Sequence, residues 1–115
     1  MNLIFHITQK QQWQAAQQSG TYRCESLVTE GFIHCSTAYQ VIAVANHFFK
    51  NQNGLVLLGI EPDRLQAELR YEEVAGSNQR FPHLYGALNL DAVTQVIDFE
   101  PDADGLFALP QPLQR

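Results

Sequence analysis

The sequence predicts a single α+β domain, and three observations carry that prediction. Two helical stretches with apolar residues along one stripe lie in the N-terminal half, short apolar segments of strand length recur along the chain, and the C-terminal part reads as strands alone. A chain of 115 residues can bury roughly two-thirds of its unfolded surface without a metal or a disulfide. Its apolar fraction of 45% excludes wholesale disorder. The core domain is expected over residues 1–100, followed by a proline-containing tail over 101–115 that lies on the surface or frays.

Residues 2–7 predict a first strand, with Leu3, Phe5 and Ile7 on one face and Ile4 and His6 on the other. Thr8-x-x-Gln11 then fits a capping box, Trp13 and Ala16 share a helix face, and Gly20 supplies the stop. Residues 21–29 read as a loop with weak strand character. Glu30 to Ser36 reads as a short strand entered through Gly31, its face alternating Phe32, His34 and Ser36 against Ile33 and Cys35. Thr37-x-x-Gln40 offers a second capping box, and Val41, Val44, Ala45 and Phe48 mark one stripe of the following helix.

Asn51 to Gly54 is a turn signal. Leu55 to Ile60 is an uninterrupted apolar run, as a strand central in a sheet requires. Pro62 to Leu65 reads as a single turn, Leu69 to Glu72 as a strand and Ala75 to Asn78 as a loop. Phe81 to Gly86 is a further apolar segment, Leu88 to Val93 a turn, and Val93 to Phe99 the last strand.

Net charge is −5 and the Lys and Arg residues are scattered, which argues against a phosphate-tracking surface for nucleic acid. No apolar run has signal-peptide or membrane-spanning length, so a cytoplasmic protein without a membrane partner is expected. Cys24 and Cys35, in a chain without an export signal, read as free thiols. No glycine-rich phosphate loop occurs.

The chemistry lies in His6, His34 and His83, each set inside a short apolar strand. Imidazole donates, accepts and titrates near neutrality, so a cleft lined by it suits proton transfer or the holding of hydroxyl-rich ligands. Ser36 and Tyr85 place hydroxyls beside two of them. For any one histidine alone, a hydrogen bond to a nearby carbonyl is the plainer account; three together point to a site. His47, near a helix end, reads as structural. A metal site using His6, His34, Cys35 and His83 lacks any tight ligand spacing, and Cys35 faces away from His34 on a regular strand. That same geometry opposes a Cys-His nucleophile, which leaves Cys35 as an inert buried thiol.

Phe5-His6-Ile7-Thr8, Trp13, Gly20-Thr21-Tyr22, the run Glu30 to Ser36, the helix end Ala45 to Phe49 and Phe81-Pro82-His83-Leu84-Tyr85-Gly86 together resemble the small bacterial family known as domain of unknown function 952. The resemblance runs in order from about Leu3 to Phe99. The layout is in turn similar to the ADP-ribosyltransferase-like fold, a split sheet with a nucleotide cleft that also includes the RNA 2'-phosphotransferases. The resemblance implies that His6 bonds a ribose hydroxyl of NAD, that His34 packs near the base with Ser36 in support, and that His83 takes the third site position. That third position is usually glutamate, and neutral imidazole neither stabilises a cationic sugar nor orients an acceptor in the same way.

These readings converge on a small transferase or hydrolase binding NAD, ADP-ribose or a related nucleotide-like ligand. Catalytic residues would be His6, His34 and His83; Thr8, Ser36 and Tyr85 would bind the ligand. The rivals are a non-catalytic nucleotide-binding module and a histidine metal site.

Overall fold

The structure, a computed structural model, describes residues 2–113; positions 114 and 115 of the expected tail lie outside them. Strand β1 (Ile4–Gln9) leads into helix α1 (Lys10–Ser19), strand β2 (Thr21–Tyr22) and helix α2 (Glu25–Thr29). Strands β3 (Ile33–His34) and β4 (Ser36–Thr37) precede helix α3 (Val41–Phe48). The remainder holds β5 (Leu55–Ile60), β6 (Glu68–Val74), β7 (Gln79–Tyr85), β8 (Leu88–Asn89) and β9 (Val93–Phe99), with single 3-10 turns at Pro62–Arg64, Leu90–Ala92 and Gln111–Leu113. The α+β class therefore holds. Among the described residues no helix is long and apolar enough to cross a membrane.

The strands form a four-stranded antiparallel sheet ordered β4-β1-β5-β9, a three-stranded one ordered β3-β7-β6, and a β2-β8 pair. Strand β5 sits between β1 and β9 with all six residues buried. Helices cover both faces of its sheet, which is why its apolar run does not alternate. On one face Ile4, Val56, Leu58 and Ile60 pack with Trp13 and Ala16 of α1 and with Ile33 and Leu84 of the second sheet. On the other, Phe5, Ile7, Leu55 and Leu57 pack with Val41 and Ala45 of α3 and with Phe99 and Phe107.

The segment expected as one strand around His34 is divided between sheets. Ile33 and His34 pair with Leu84 and His83 of β7, whereas Ser36 and Thr37 pair with Phe5 and Ile4 of β1. The Cys35 N–H donates to the Pro82 carbonyl at 3.0 Å at the crossing point. The chain thus changes sheets within two residues, carrying His34 and Ser36 to the seam.

Several local expectations are corrected. Thr8 is not a cap: it pairs with Val56, Gln9 pairs with Leu55, and α1 begins at Lys10 after the strand ends. Gly20 does end α1, at φ +97° with its N–H donating to the Ala16 carbonyl at 2.8 Å. Of residues 21–29, expected as a loop with weak strand character, Thr21–Tyr22 form β2 and Glu25–Thr29 form the unexpected helix α2. Of the second capping box one half forms, the Thr37 N–H donating to Gln40 Oε1 at 3.0 Å, and α3 starts only at Val41. Phe48 leaves the expected stripe and is 70% exposed. The segment after β9 is not an appendage either. Phe107 is buried and stacks on Phe99 with centroids 4.6 Å apart, and its backbone N–H donates to Asn46 Oδ1 at 2.6 Å.

Candidate active site

A cleft of about 700 Å3 opens where the two sheets separate. Its floor carries His6, His34, Ser36 and His83; its walls are α3 and the β6–β7 turn. The volume lies in the range of small-molecule sites.

His83 is the best defined of the candidates. It lies opposite His34 in the β3–β7 register, the two rings 5.5 Å apart and nearly perpendicular. Phe32, two residues before His34 on the same face, stacks on the His83 ring at 4.0 Å and 16° and meets His34 edge-on at 4.8 Å. The Nδ1–H of His83 donates to Glu72 Oε1 at 2.9 Å. The Tyr85 hydroxyl donates to that same oxygen. A carboxylate accepts and does not donate, so it selects the Nδ1–H tautomer and leaves the Nε2 lone pair available. Nε2 is buried and has no partner among the described residues, in a residue only 5% exposed. A buried polar atom without a partner costs about 1–3 kcal/mol, so it calls for a reason.

The hydrogen bond from Tyr85, and then that from His83, hold the Glu72 carboxyl below its usual range. The bond to Glu72 in turn raises the Tyr85 hydroxyl. Arg70 stands over the Tyr85 ring at 4.6 Å and forks onto the carboxylate of Glu68 at 2.9 and 3.1 Å. With Arg70 on its ring and Phe32 5.3 Å away, Tyr85, expected to bind the ligand, has its ring engaged by its neighbours.

His34 is half exposed, and its Nε2 meets Glu30 Oε2 at 3.0 Å. Ser36 is buried on the cleft floor. His6 departs most from its expected role. Its Nδ1–H donates to the His34 carbonyl at 2.6 Å and its Nε2 lies 2.8 Å from the Tyr22 hydroxyl, so neither ring nitrogen is left for a ribose hydroxyl. Burial lowers its pKa from 6.5 to about 4, against the opposing effect of the bond to His34. The ring is therefore neutral, with Nε2 an acceptor. The single Tyr22 hydroxyl proton faces two acceptors, His6 Nε2 and, at 2.9 Å, Thr8 Oγ1, which itself donates to Gln12 Oε1 at 2.8 Å. Thr8 is thus buried behind His6 and is not on the cleft wall.

Cys35 is buried, its thiol pushed up to about 12 by burial, and its Sγ lies 3.9 Å from the Ile33 carbonyl. Cys24 is also a free thiol. Among the described residues no group of three or more His, Cys, Asp or Glu side chains is arranged to hold a metal ion.

The structure thus brings His6, His34, Ser36 and His83 to one cleft, while Thr8 and Tyr85 join them through Tyr22 and Glu72. Glu72 itself escaped the reading of the sequence. Its signal was present in the hairpin: a strand over 68–74 folding back through 75–78 sets Glu68, Arg70 and Glu72 opposite Tyr85, His83 and Phe81. Tyr22 gave no such signal, because its partner strand β8 is distant in sequence.

The family described as "Protein of unknown function (DUF952)" matches residues 7–96. The chain belongs to that family. The crystal structure of protein CC0527 from Caulobacter crescentus is similar to this DUF952 member, with 37% identity over 93% of this chain and 94% of that one and a TM-score of 0.85. The solution NMR structure of the same Caulobacter protein matches at 37% identity, covers 96% of each chain and has a TM-score of 0.83. A search of curated proteins found no match.

Proposed function

We propose that this DUF952 chain is a small enzyme of the ADP-ribosyltransferase-like type, performing acid–base chemistry on a ribose-bearing, nucleotide-like ligand held in the cleft, with NAD and ADP-ribose the first candidates. The observation that carries the reading is His83: one ring nitrogen tied to a carboxylate, the other buried and unpartnered in a cleft-lining residue. Nε2 takes the proton of an acceptor hydroxyl or water as that oxygen bonds to the ribose C1' and the bond from C1' to the base breaks, the electron pair leaving with the base. The resulting imidazolium is steadied by Glu72. The same Nε2–H then serves as the acid for a leaving group. Glu72 acts through His83 as a positioning residue, and Tyr85 holds its carboxylate in place. In this reading His34 and Ser36 bond ligand hydroxyls. His6 has a supporting role, fixing the backbone of the His34 segment.

The test is a thermal-shift and turnover series with NAD, ADP-ribose, nicotinamide and nucleoside phosphates on wild type, His83→Asn and Glu72→Gln. Asparagine keeps a donor near Glu72 but lacks Nε2. A ligand at one hundred times its Kd adds about 2.7 kcal/mol, a rise of roughly 10 °C for a chain of this size. Binding within a few-fold of wild type with turnover reduced about 100-fold or more in His83→Asn is the expected result. Glu72→Gln should lower kcat with little change in KM, and its His83 nitrogen resonances should report a mixed tautomer. Failure of every ligand to stabilise the wild type refutes the reading, while binding without turnover on any acceptor identifies a binding module instead.

A further inference from the structure

We propose that the cleft selects an uncharged or cationic nucleoside, and that a phosphate on the ligand weakens binding. This rests on the nucleotide-like reading above and narrows its substrate class, moving preference from the phosphate-bearing NAD and ADP-ribose to the nucleoside part they contain. Among the described residues that line the cleft there is no Lys and no Arg. The walls are mostly apolar, with Ala43, Val44 and Phe48 of α3 on one side, Val74 and Ala75 of the β6–β7 turn on the other and Tyr39 at the mouth. The polar residues among them are Gln40, His47, Ser77 and Gln79. Tyr39 and Phe48 are 99% and 70% exposed, and large apolar side chains left open around a cleft are characteristic of a ligand with an apolar or planar body.

The charges nearest the polar floor have the wrong sign for phosphate. His34 is paired with Glu30, and His83 with Glu72. An anion approaching either imidazole therefore meets a carboxylate behind it, in a chain of net charge −5. Three arginines are committed or turned away. Arg70 is forked onto Glu68, Arg64 lies beside Glu61, and Arg80 pairs in the β6–β7 register with Glu73, on the face opposite His83. Burying a phosphate without a cation leaves its desolvation uncompensated. A planar base between α3 and the turn meets no such cost, and a ribose hydroxyl supplies the missing partner of His83 Nε2. A pyridinium nucleoside gains further from the two carboxylates.

The experiment is isothermal titration calorimetry at pH 8, well above the ordinary imidazole range, with two matched pairs: nicotinamide riboside against nicotinamide mononucleotide, and adenosine against its 5'-monophosphate. At low salt the nucleoside of at least one pair should bind at least about tenfold tighter than its monophosphate, and 1 M salt should narrow the gap. Ala43→Lys, on an exposed wall position, should close or reverse it. A monophosphate that binds as tightly as its nucleoside, or tighter, overturns the selectivity and leaves the nucleotide-like reading intact. A gap indifferent to salt and to Ala43→Lys also overturns it. If no member of either pair binds wild type, this inference falls, and the nucleotide-like reading falls with it only where NAD and ADP-ribose also fail to bind.

Discussion

Lowering the pH from about 7.5 to 4 protonates His6 in the unfolded chain well before it does so in the folded one. The unfolded imidazole takes its proton near 6.5, whereas burial holds the folded group at about 4. Between those values the unfolded state binds more protons, so stability falls as pH falls. The shift converts, at 1.36 kcal/mol per unit, to about 3 kcal/mol lost across the window, a slope of about 1.4 kcal/mol per pH unit. Loss at this scale is a large part of the 5–15 kcal/mol typical of a domain. The carboxyls held down in the fold, Glu68 and Glu72, act in the same direction but lower: their contribution is present above 4.5 and lost as pH falls through their folded values. His6→Asn isolates the effect, because the asparagine amide replaces the Nδ1–H donor to the His34 carbonyl and does not titrate. Urea unfolding at steps between pH 7.5 and 4.5 should show a steep wild-type decline and, for the variant, a decline shallower by close to the His6 slope. Parallel curves for the two proteins would refute the burial argument for His6.

Two further outcomes follow from packing. Phe107→Ala removes a buried ring stacked on Phe99 and should cost about 3–5 kcal/mol; truncation before Pro101 should destabilise at least as much, whereas a loss under about 1 kcal/mol would show the tail to be dispensable. Tyr22→Phe takes the hydroxyl from between His6 Nε2 and Thr8 Oγ1 and leaves a buried acceptor unpaired, so chemical denaturation should register a loss of about 1–3 kcal/mol.

What the sequence by itself determined is the local periodicity and everything that depends on it. The apolar run Leu55 to Ile60 was legible as a central strand because a strand covered on both faces cannot alternate. The alternation around His34 separated Phe32 and His34, whose rings meet, from the buried Ile33, since side chains reverse direction at every strand residue. It did not extend to Ser36, which is buried and pairs in the other sheet. The helix α1 stop at Gly20 was legible because a positive φ favours glycine. Less was legible where two patterns overlapped: Thr8 satisfies a helix cap in sequence, yet the ladder to Val56 holds it in β1.

Only the tertiary structure decided which side chains meet. His6, His34 and His83 were visible as candidates, but their grouping depends on a chain crossing between sheets at Cys35, which nothing local encodes. The same holds for the roles within the group. His6 and His83 look alike as histidines in apolar strands, and their difference arises from partners far away in sequence: Tyr22 and the His34 carbonyl occupy both nitrogens of one, while Glu72 occupies a single nitrogen of the other. Side-chain identity sets which hydrogen bonds a residue can make, and strand pairing sets which partners lie within reach. The second of these depends on contacts between distant segments, and that is why the free nitrogen of His83 emerges only from the folded chain.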